Sequence, residues 1–265
     1  MFLVSVLFIA VTSVLFKLCR DAVTRLFPSH RDRLKMVFGR EFLATLEICV
    51  GAFEGGIVIE TEGLQQFSLV VFGCCVWRFL TWSPEDTACP YSVLGMAVSR
   101  KISGKEVLAR LFAQLLAAAF SLKAVSFFWD FGLHPRHQGK AFLESWYRCG
   151  THVSTDILTA AVVEALGTCV LAFGVMALPH LTSNMELLFV PLASALIVAT
   201  VLLGIEYTGG YYNPILASAK TFGCRGTTYG EHLFVYWVSS AVGYFVAESL
   251  YEICRPRLPK KLRSE

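Results

Sequence analysis

Six runs of about twenty mostly apolar residues recur along the chain, at roughly 36–54, 66–82, 107–129, 157–178, 187–206 and 232–252. A helix needs about that many residues to cross the hydrocarbon of a bilayer. Only helices and closed barrels satisfy every backbone polar group in lipid. The chain is therefore expected to fold as an all-α membrane protein of six spanning helices, with the lipid bilayer as its first partner. Composition points the same way: 16% of residues are charged, against about a quarter in soluble domains. A seventh apolar stretch, 2–16, precedes the six. It is open as a signal anchor, an interfacial helix or an extra span. No clear small-residue cleavage site follows it, so it is not read as a removable signal peptide.

Positive charge marks the cytosolic side of a membrane protein. Lys17, Arg20, Arg25, Arg31, Arg33, Lys35 and Arg40 precede the first of the six spans. Arg100, Lys101 and Lys105 lie between the second and third, and Arg255, Arg257, Lys260, Lys261 and Arg263 follow the sixth. All three clusters fall on one side of a six-span chain, so both ends of the core are expected in the cytosol. The loop 130–156 then lies on the other side, with His134, His137 and His152 read as solvated loop residues. The expected organisation is an N-terminal apolar helix and basic linker (1–35), a core (36–254) and a basic tail (255–265). A net charge of +3 is too small to suggest a nucleic-acid partner.

The core contains a repeat. The first span holds REFLATLEICVGAF with Glu41 and Thr45; the fourth holds VEALGTCVLAFGV with Glu164 and Thr168. The two glutamates are 123 positions apart. At an offset of 124, Cys89-Pro90-Tyr91 matches Asn213-Pro214-Ile215, and each triplet opens a short helix-competent stretch. The repeats fall at about 36–130 and 157–254. Each has an odd number of spans, so the two lie inverted in the membrane, an architecture of channels and transporters. Proline at a first helical position loses no useful N–H, and the residue before it is expected to cap the half-helix. Non-helical backbone at membrane depth is tolerated where it lines a cavity or is buried in protein. A carboxylate within a span is costly and faces the bundle interior, which singles out Glu41 and Glu164.

No cofactor motif is present. The nine cysteines show no CxxC pair and no Cys/His ligand spacing, which argues against a zinc site. A Cys149–Cys224 disulfide is one of several pairings that spacing leaves open. HVSTD, residues 152–156, holds His, Ser and Asp, but adjacent letters do not make a catalytic triad, and the chain is not read as an enzyme.

The stretch GIEYTGGYYNPILASAKTFG, 204–223, resembles the second pore loop of the aquaporins, whose hallmark is a pair of Asn-Pro-Ala motifs. Cys224, 11 residues beyond Asn213, and the following Val235-Tyr236-Trp237 resemble the unorthodox intracellular branch, the superaquaporins. Cys-Pro-Tyr for the first motif looks like its invertebrate members. The resemblance covers about 36–254. It implies the aquaporin fold, six spans plus two re-entrant half-helices in an inverted repeat, here with an extra N-terminal apolar helix. It implies passive conduction of water or small neutral solutes such as glycerol or hydrogen peroxide, a homotetramer with one pore per subunit, and an intracellular membrane such as the endoplasmic reticulum.

The same resemblance assigns the residues. Cys89, Pro90, Tyr91, Asn213, Pro214 and Ile215 are the pore motifs. Leu69, Val201, Gly210 and Leu216 are the selectivity filter, with Leu216 where the family places an arginine. Glu41 and Glu164 support the pore loops by accepting backbone hydrogen bonds, and Cys224 is the subfamily cysteine, structural or redox in role. A filter without that arginine loses a charge barrier and five donors. Two other classes stay open: a largely non-conducting structural protein, for which the degenerate first motif leaves room, and a coupled transporter, against which the lack of charged pore residues argues.

Overall fold

The computed structural model describes residues 2–144, 148–182 and 185–255. Arg257, Lys260, Lys261 and Arg263 of the expected basic tail lie outside the described residues. The helices are α1 (Phe2–Leu26), α2 (Arg33–Glu62), α3 (Leu64–Thr81), α4 (Pro90–Val98), α5 (Gly104–Trp129), α6 (Lys140–Leu143), α7 (Ile157–Leu181), α8 (Phe189–Thr208), α9 (Pro214–Thr221), α10 (Tyr229–His232) and α11 (Ser239–Cys254), with a π-helical segment, Leu233–Val238, joining the last two. Among the described residues seven helices are long and apolar enough to cross a membrane: α1, α2, α3, α5, α7, α8 and the Tyr229–Cys254 run. The chain forms two compact units, Met1–Val70 with Thr81–Thr151 and Pro214–Gly226, and Val71–Leu80 with His152–Asn213 and Thr227–Glu265.

In the first unit α2 is the central helix, packed most extensively on α5 and next on α1. Small buried residues, Ala44 on α2 and Ala113 and Ala117 on α5, let backbones approach closely. Phe53 meets Trp129 edge-on at 6.1 Å. The two helices run parallel. Arg33 at the start of α2 bonds Glu106 at the start of α5, and Trp129 Nε1 at the end of α5 donates to Glu54 Oε2 at 2.8 Å. Residues 83–86 lie at that same starting end, where Asp86 pairs with Arg40 and Arg110 Nη1 donates to the Glu85 carbonyl at 2.5 Å. Between Glu85 and Glu106 the chain contains only α4, 9 residues long, or about 13 Å of helix at 1.5 Å per residue. That is under half the thickness of a bilayer core, so α4 enters and returns. Gly63, at φ 86°, is the one residue between α2 and α3 and makes the reversal that a side chain would oppose.

The N-terminal stretch is longer than its apolar run. Lys17, Arg20 and Arg25 of the expected linker continue the helix to Leu26. Arg20, buried, pairs with Glu47 of α2 and lies 5.2 Å from the Trp82 ring, so the basic residue is compensated and α1 stays docked. Ser5 Oγ donates to Glu54 Oε1 at 2.5 Å.

The loop after α5 departs from expectation. His134 and His137 are buried, while His152 is exposed. His137 Nε2 faces Glu54 at 3.2 Å, and its ring lies between Phe8 and Trp129. Its Nδ1 accepts from the His134 N–H at 3.3 Å, so the proton toward Glu54 sits on Nε2. A buried carboxylate inside a span demanded partners, and the histidines of the adjacent loop supply one. Further along, Lys140 bonds Glu60, and Lys220 of α9 lies 3.4 Å from Glu144. Cys149 and Cys224 form a disulfide, beside a bridge between Gly150 and Arg225. The loop is thus fastened to α2 and to the C-terminal end of α9. A disulfide suits an oxidising compartment, which is the side that the basic clusters assign to this loop.

In the second unit α7 packs on α11 and α8. A Cβ at Gly243 would sit 2.1 Å from the Ala165 carbonyl, so glycine alone permits the α7–α11 approach. The sixth span is not one regular helix. The π-helical segment brings Tyr236 and His232 both into buried positions, and Tyr236 donates its hydroxyl to the Thr208 carbonyl at 2.8 Å. Sequence periodicity misses one inserted residue per turn.

Denaturing alkylation without reduction should label seven of the nine cysteines, and all nine after reduction. Cys224→Ser should lower stability by about 2–5 kcal/mol, the range for loss of a native disulfide; a thermal melt unchanged by the substitution contradicts the bond's contribution. Burial, with His137 beside it, holds the His134 imidazole below its ordinary value, against the opposing pull of Glu54 and Glu62. The docked loop therefore favours the neutral ring. Its stability is full above the free-histidine value near 6.5 and falls as pH drops below it. Hydrogen exchange of amides 130–139, corrected for intrinsic rate, should accelerate between pH 7.5 and 5.

Candidate functional site

Two X-Pro loops enter two short helices, and a buried carboxylate meets each loop. In the first unit Glu41 of α2 is fully buried. Its Oε1 accepts from the Ala88 N–H at 2.6 Å and from Thr87 Oγ1 at 2.6 Å. Gln114 Nε2 of α5 donates to the same oxygen at 2.7 Å, and Arg110 Nη1 donates to Oε2 at 2.6 Å. Arg110 is 2% exposed. The pair is charge-balanced, which a lone buried carboxylate cannot be. Ala88 stands at φ 48°, a left-handed conformation uncommon outside glycine, and Cys89 follows at φ −151° before Pro90 opens α4. Among the described residues the Cys89 side chain forms no capping hydrogen bond to α4, contrary to the expected cap. Sulfur is a weak acceptor, and the Cys89 carbonyl accepts from the Val93 N–H at 3.3 Å to close the first turn. Cys89 and Pro90 are buried and Tyr91 is half-buried.

In the second unit Glu164 of α7, also fully buried, accepts from the Tyr212 N–H at 2.8 Å and from Thr208 Oγ1 at 2.6 Å. Thr208 Oγ1 accepts in turn from the Gly210 N–H at 3.3 Å. Tyr212 stands at φ 47° directly before Asn213, as Ala88 does before Cys89. The left-handed residue thus repeats at an offset of 124 positions, and the glutamate that accepts its N–H at 123. Within this loop, Tyr211 stacks on His152 with its hydroxyl 2.6 Å from Nδ1.

The remaining candidate residues are placed as follows. In the first unit, Pro214 and Ile215 are buried at the start of α9, Leu216 is half-buried one residue on, and Leu69 on α3 is 62% exposed. Cys224 closes the disulfide to Cys149. In the second unit, Asn213 and Val201 are half-buried and Gly210 is buried. A Cβ at Gly210 would stand 2.6 Å from the Val201 carbonyl, so this glycine brings loop backbone against α8. Among the described residues, no group of three or more His, Cys, Asp or Glu side chains is arranged to hold a metal ion.

Several partners in these sites were not singled out from the sequence. Arg110 and Gln114 are polar residues within an apolar run, spaced to share one helix face; that was a readable signal. Tyr212 carried none, since an aromatic beside a proline motif reads as ordinary packing.

No family model matches the chain. It is similar to Aquaporin-11 of Milnesium tardigradum, 25% identical over 256 residues, which cover 97% of this chain and 88% of the relative. It is similar to Aquaporin-11 of Rattus norvegicus, 27% identical over 232 residues, with 86% and 82% covered. It is also similar to Aquaporin-12 of Mus musculus, 28% identical over 226 residues, with 83% and 66% covered. With seven membrane-capable helices and two loop-to-half-helix entries of one geometry, the chain is an all-α, multi-pass integral membrane protein of aquaporin fold, similar over nearly its whole length to aquaporins of the unorthodox branch.

Proposed function

We propose that the protein is a passive membrane channel for water and small neutral solutes such as glycerol or hydrogen peroxide. The observation that carries this reading is the matched pair of loop entries. In each, a fully buried glutamate holds the amide of a left-handed residue immediately before an X-Pro step. Such entries fix irregular backbone at membrane depth, which lipid does not tolerate unless it is buried or lines a cavity. Glu41 and Glu164 act as loop supports, and Cys89-Pro90-Tyr91 and Asn213-Pro214-Ile215 as the pore motifs. Arg110 and Gln114 engage both oxygens of Glu41, which fits a loop support rather than a relay.

Leu69, Val201, Gly210 and Leu216 form the selectivity filter. None of the four carries a side-chain donor or a charge. A water molecule shedding part of its hydrogen-bonded shell finds few replacements there, and an uncompensated polar group costs about 1–3 kcal/mol. A solute with an apolar face loses less. Following the family resemblance, the protein is a homotetramer with one pore per subunit, in an intracellular membrane such as the endoplasmic reticulum, and Cys224 holds the second half-helix to the outer loop.

Reconstituted vesicles, with water, glycerol and peroxide measured side by side, test the reading. The ratio of glycerol to water permeability should exceed that of a water-selective aquaporin. Leu216→Arg should lower it about tenfold, the effect of 1.4 kcal/mol on a rate; fast water flux with glycerol excluded in the wild type refutes the assignment. Methanethiosulfonate reagents should change the flux of the wild type and leave Cys89→Ser unaffected. Equal sensitivity of the two proteins would move the reactive thiol elsewhere.

A further inference from the structure

We propose that Tyr212 is a positioning residue of the second pore loop: its ring, seated in a slot made by Gly167 and Gly204, fixes where Asn213 stands and thereby sets solute selectivity. The inference rests on the channel reading above.

Tyr212 is 3% exposed and held at three points. Its N–H bonds Glu164, its hydroxyl donates to the Thr200 carbonyl of α8 at 3.0 Å, and its ring occupies space that two glycines leave open. A Cβ at Gly167 of α7 would lie 1.9 Å from the Tyr212 Cε1, and one at Gly204 of α8 would lie 1.9 Å from its hydroxyl oxygen. The same Cβ at Gly204 would reach 3.4 Å from the Cα of Gly210, so this position also admits the loop backbone. A bulky residue in the left-handed region is unfavourable on its own. It persists where the surroundings over-determine it, which is common at functional sites. Asn213 is the next residue, so the fixed dihedrals and ring of Tyr212 fix its Cα.

The repeat supports a dedicated role. Three positions after the glutamate, the first repeat has Ala44 and the second Gly167; at the left-handed position, the first has Ala88 and the second Tyr212. Ala44 and Ala88 are both fully buried. One repeat therefore uses two small residues, the other a glycine and a tyrosine. The exchange of bulk is reciprocal, as a steric lock requires.

The test uses the full-length protein. Wild type, Tyr212→Phe, Tyr212→Ala, Gly167→Ala and the double variant Gly167→Ala/Tyr212→Ala are reconstituted, and glycerol and water permeabilities are taken as a ratio. Tyr212→Phe keeps the ring and should stay near wild type. Tyr212→Ala and Gly167→Ala should each shift the ratio by about tenfold. The double variant, which restores the alanine pairing of the first repeat, should recover part of the shift. A tyrosine that merely stabilises the fold would change the melting temperature and leave the ratio unmoved in monodisperse protein, and that outcome overturns the proposal. Hydrogen exchange of amides 209–216 in detergent separates this from the channel reading. If the wild type conducts none of the solutes, the channel reading fails and the selectivity role with it. Positioning by Tyr212 still requires faster exchange in Tyr212→Ala and Gly167→Ala than in Tyr212→Phe, and equal protection in all variants refutes it.

Discussion

A carboxylate buried inside a membrane helix has to be satisfied where it stands. Glu41 and Glu164 are each fully buried, and each accepts a backbone N–H from the residue before an X-Pro pair. Leaving such a group unpaired in a medium without water costs several kcal/mol. The carboxylate and the loop therefore require each other. The glutamate is tolerated because the loop supplies donors, and the loop keeps a left-handed residue because the glutamate holds its amide. The half-helices α4 and α9, too short to cross a bilayer, begin where that contact ends.

The two repeats meet the same requirement by different chemistry. The first adds a guanidinium and an amide, Arg110 and Gln114, one helical turn apart on α5. The second has no cation bonded to Glu164 among the described residues. It uses Thr208 and the N–H of a tyrosine whose ring is lodged against two glycines. The asymmetry of the motif sequences, Cys-Pro-Tyr against Asn-Pro-Ile, thus has a counterpart in how their supports are built.

The loop after α5 extends the same logic. Glu54, another buried acid on α2, takes hydrogen bonds from Ser5, Trp129 and His137, and so binds α1, α5 and the loop to one point. The Cys149–Cys224 bond and the Lys220–Glu144 pair then join that loop to the far end of α9. The second half-helix is consequently constrained at its C-terminal end by a covalent bond, which the first is not.

Hydrophobic length and the repeated Glu-x-x-x-Thr are local properties, and they were enough to read the spans and the two X-Pro half-helices. Arg110 and Gln114 were legible in principle as polar letters within an apolar run. The burial of His134 and His137, the pairing of Cys149 with Cys224, the π-helical turn around Tyr236 and the lodging of Tyr212 were not. Each depends on which surfaces meet across more than forty residues of chain or on a single inserted backbone residue. The sequence by itself determined which segments enter the membrane and in what order, because transfer from water to lipid is decided residue by residue. Only the tertiary structure decided which buried polar group answers which, because a hydrogen bond needs its partner within about 3 Å, and nothing in the linear order supplies that distance.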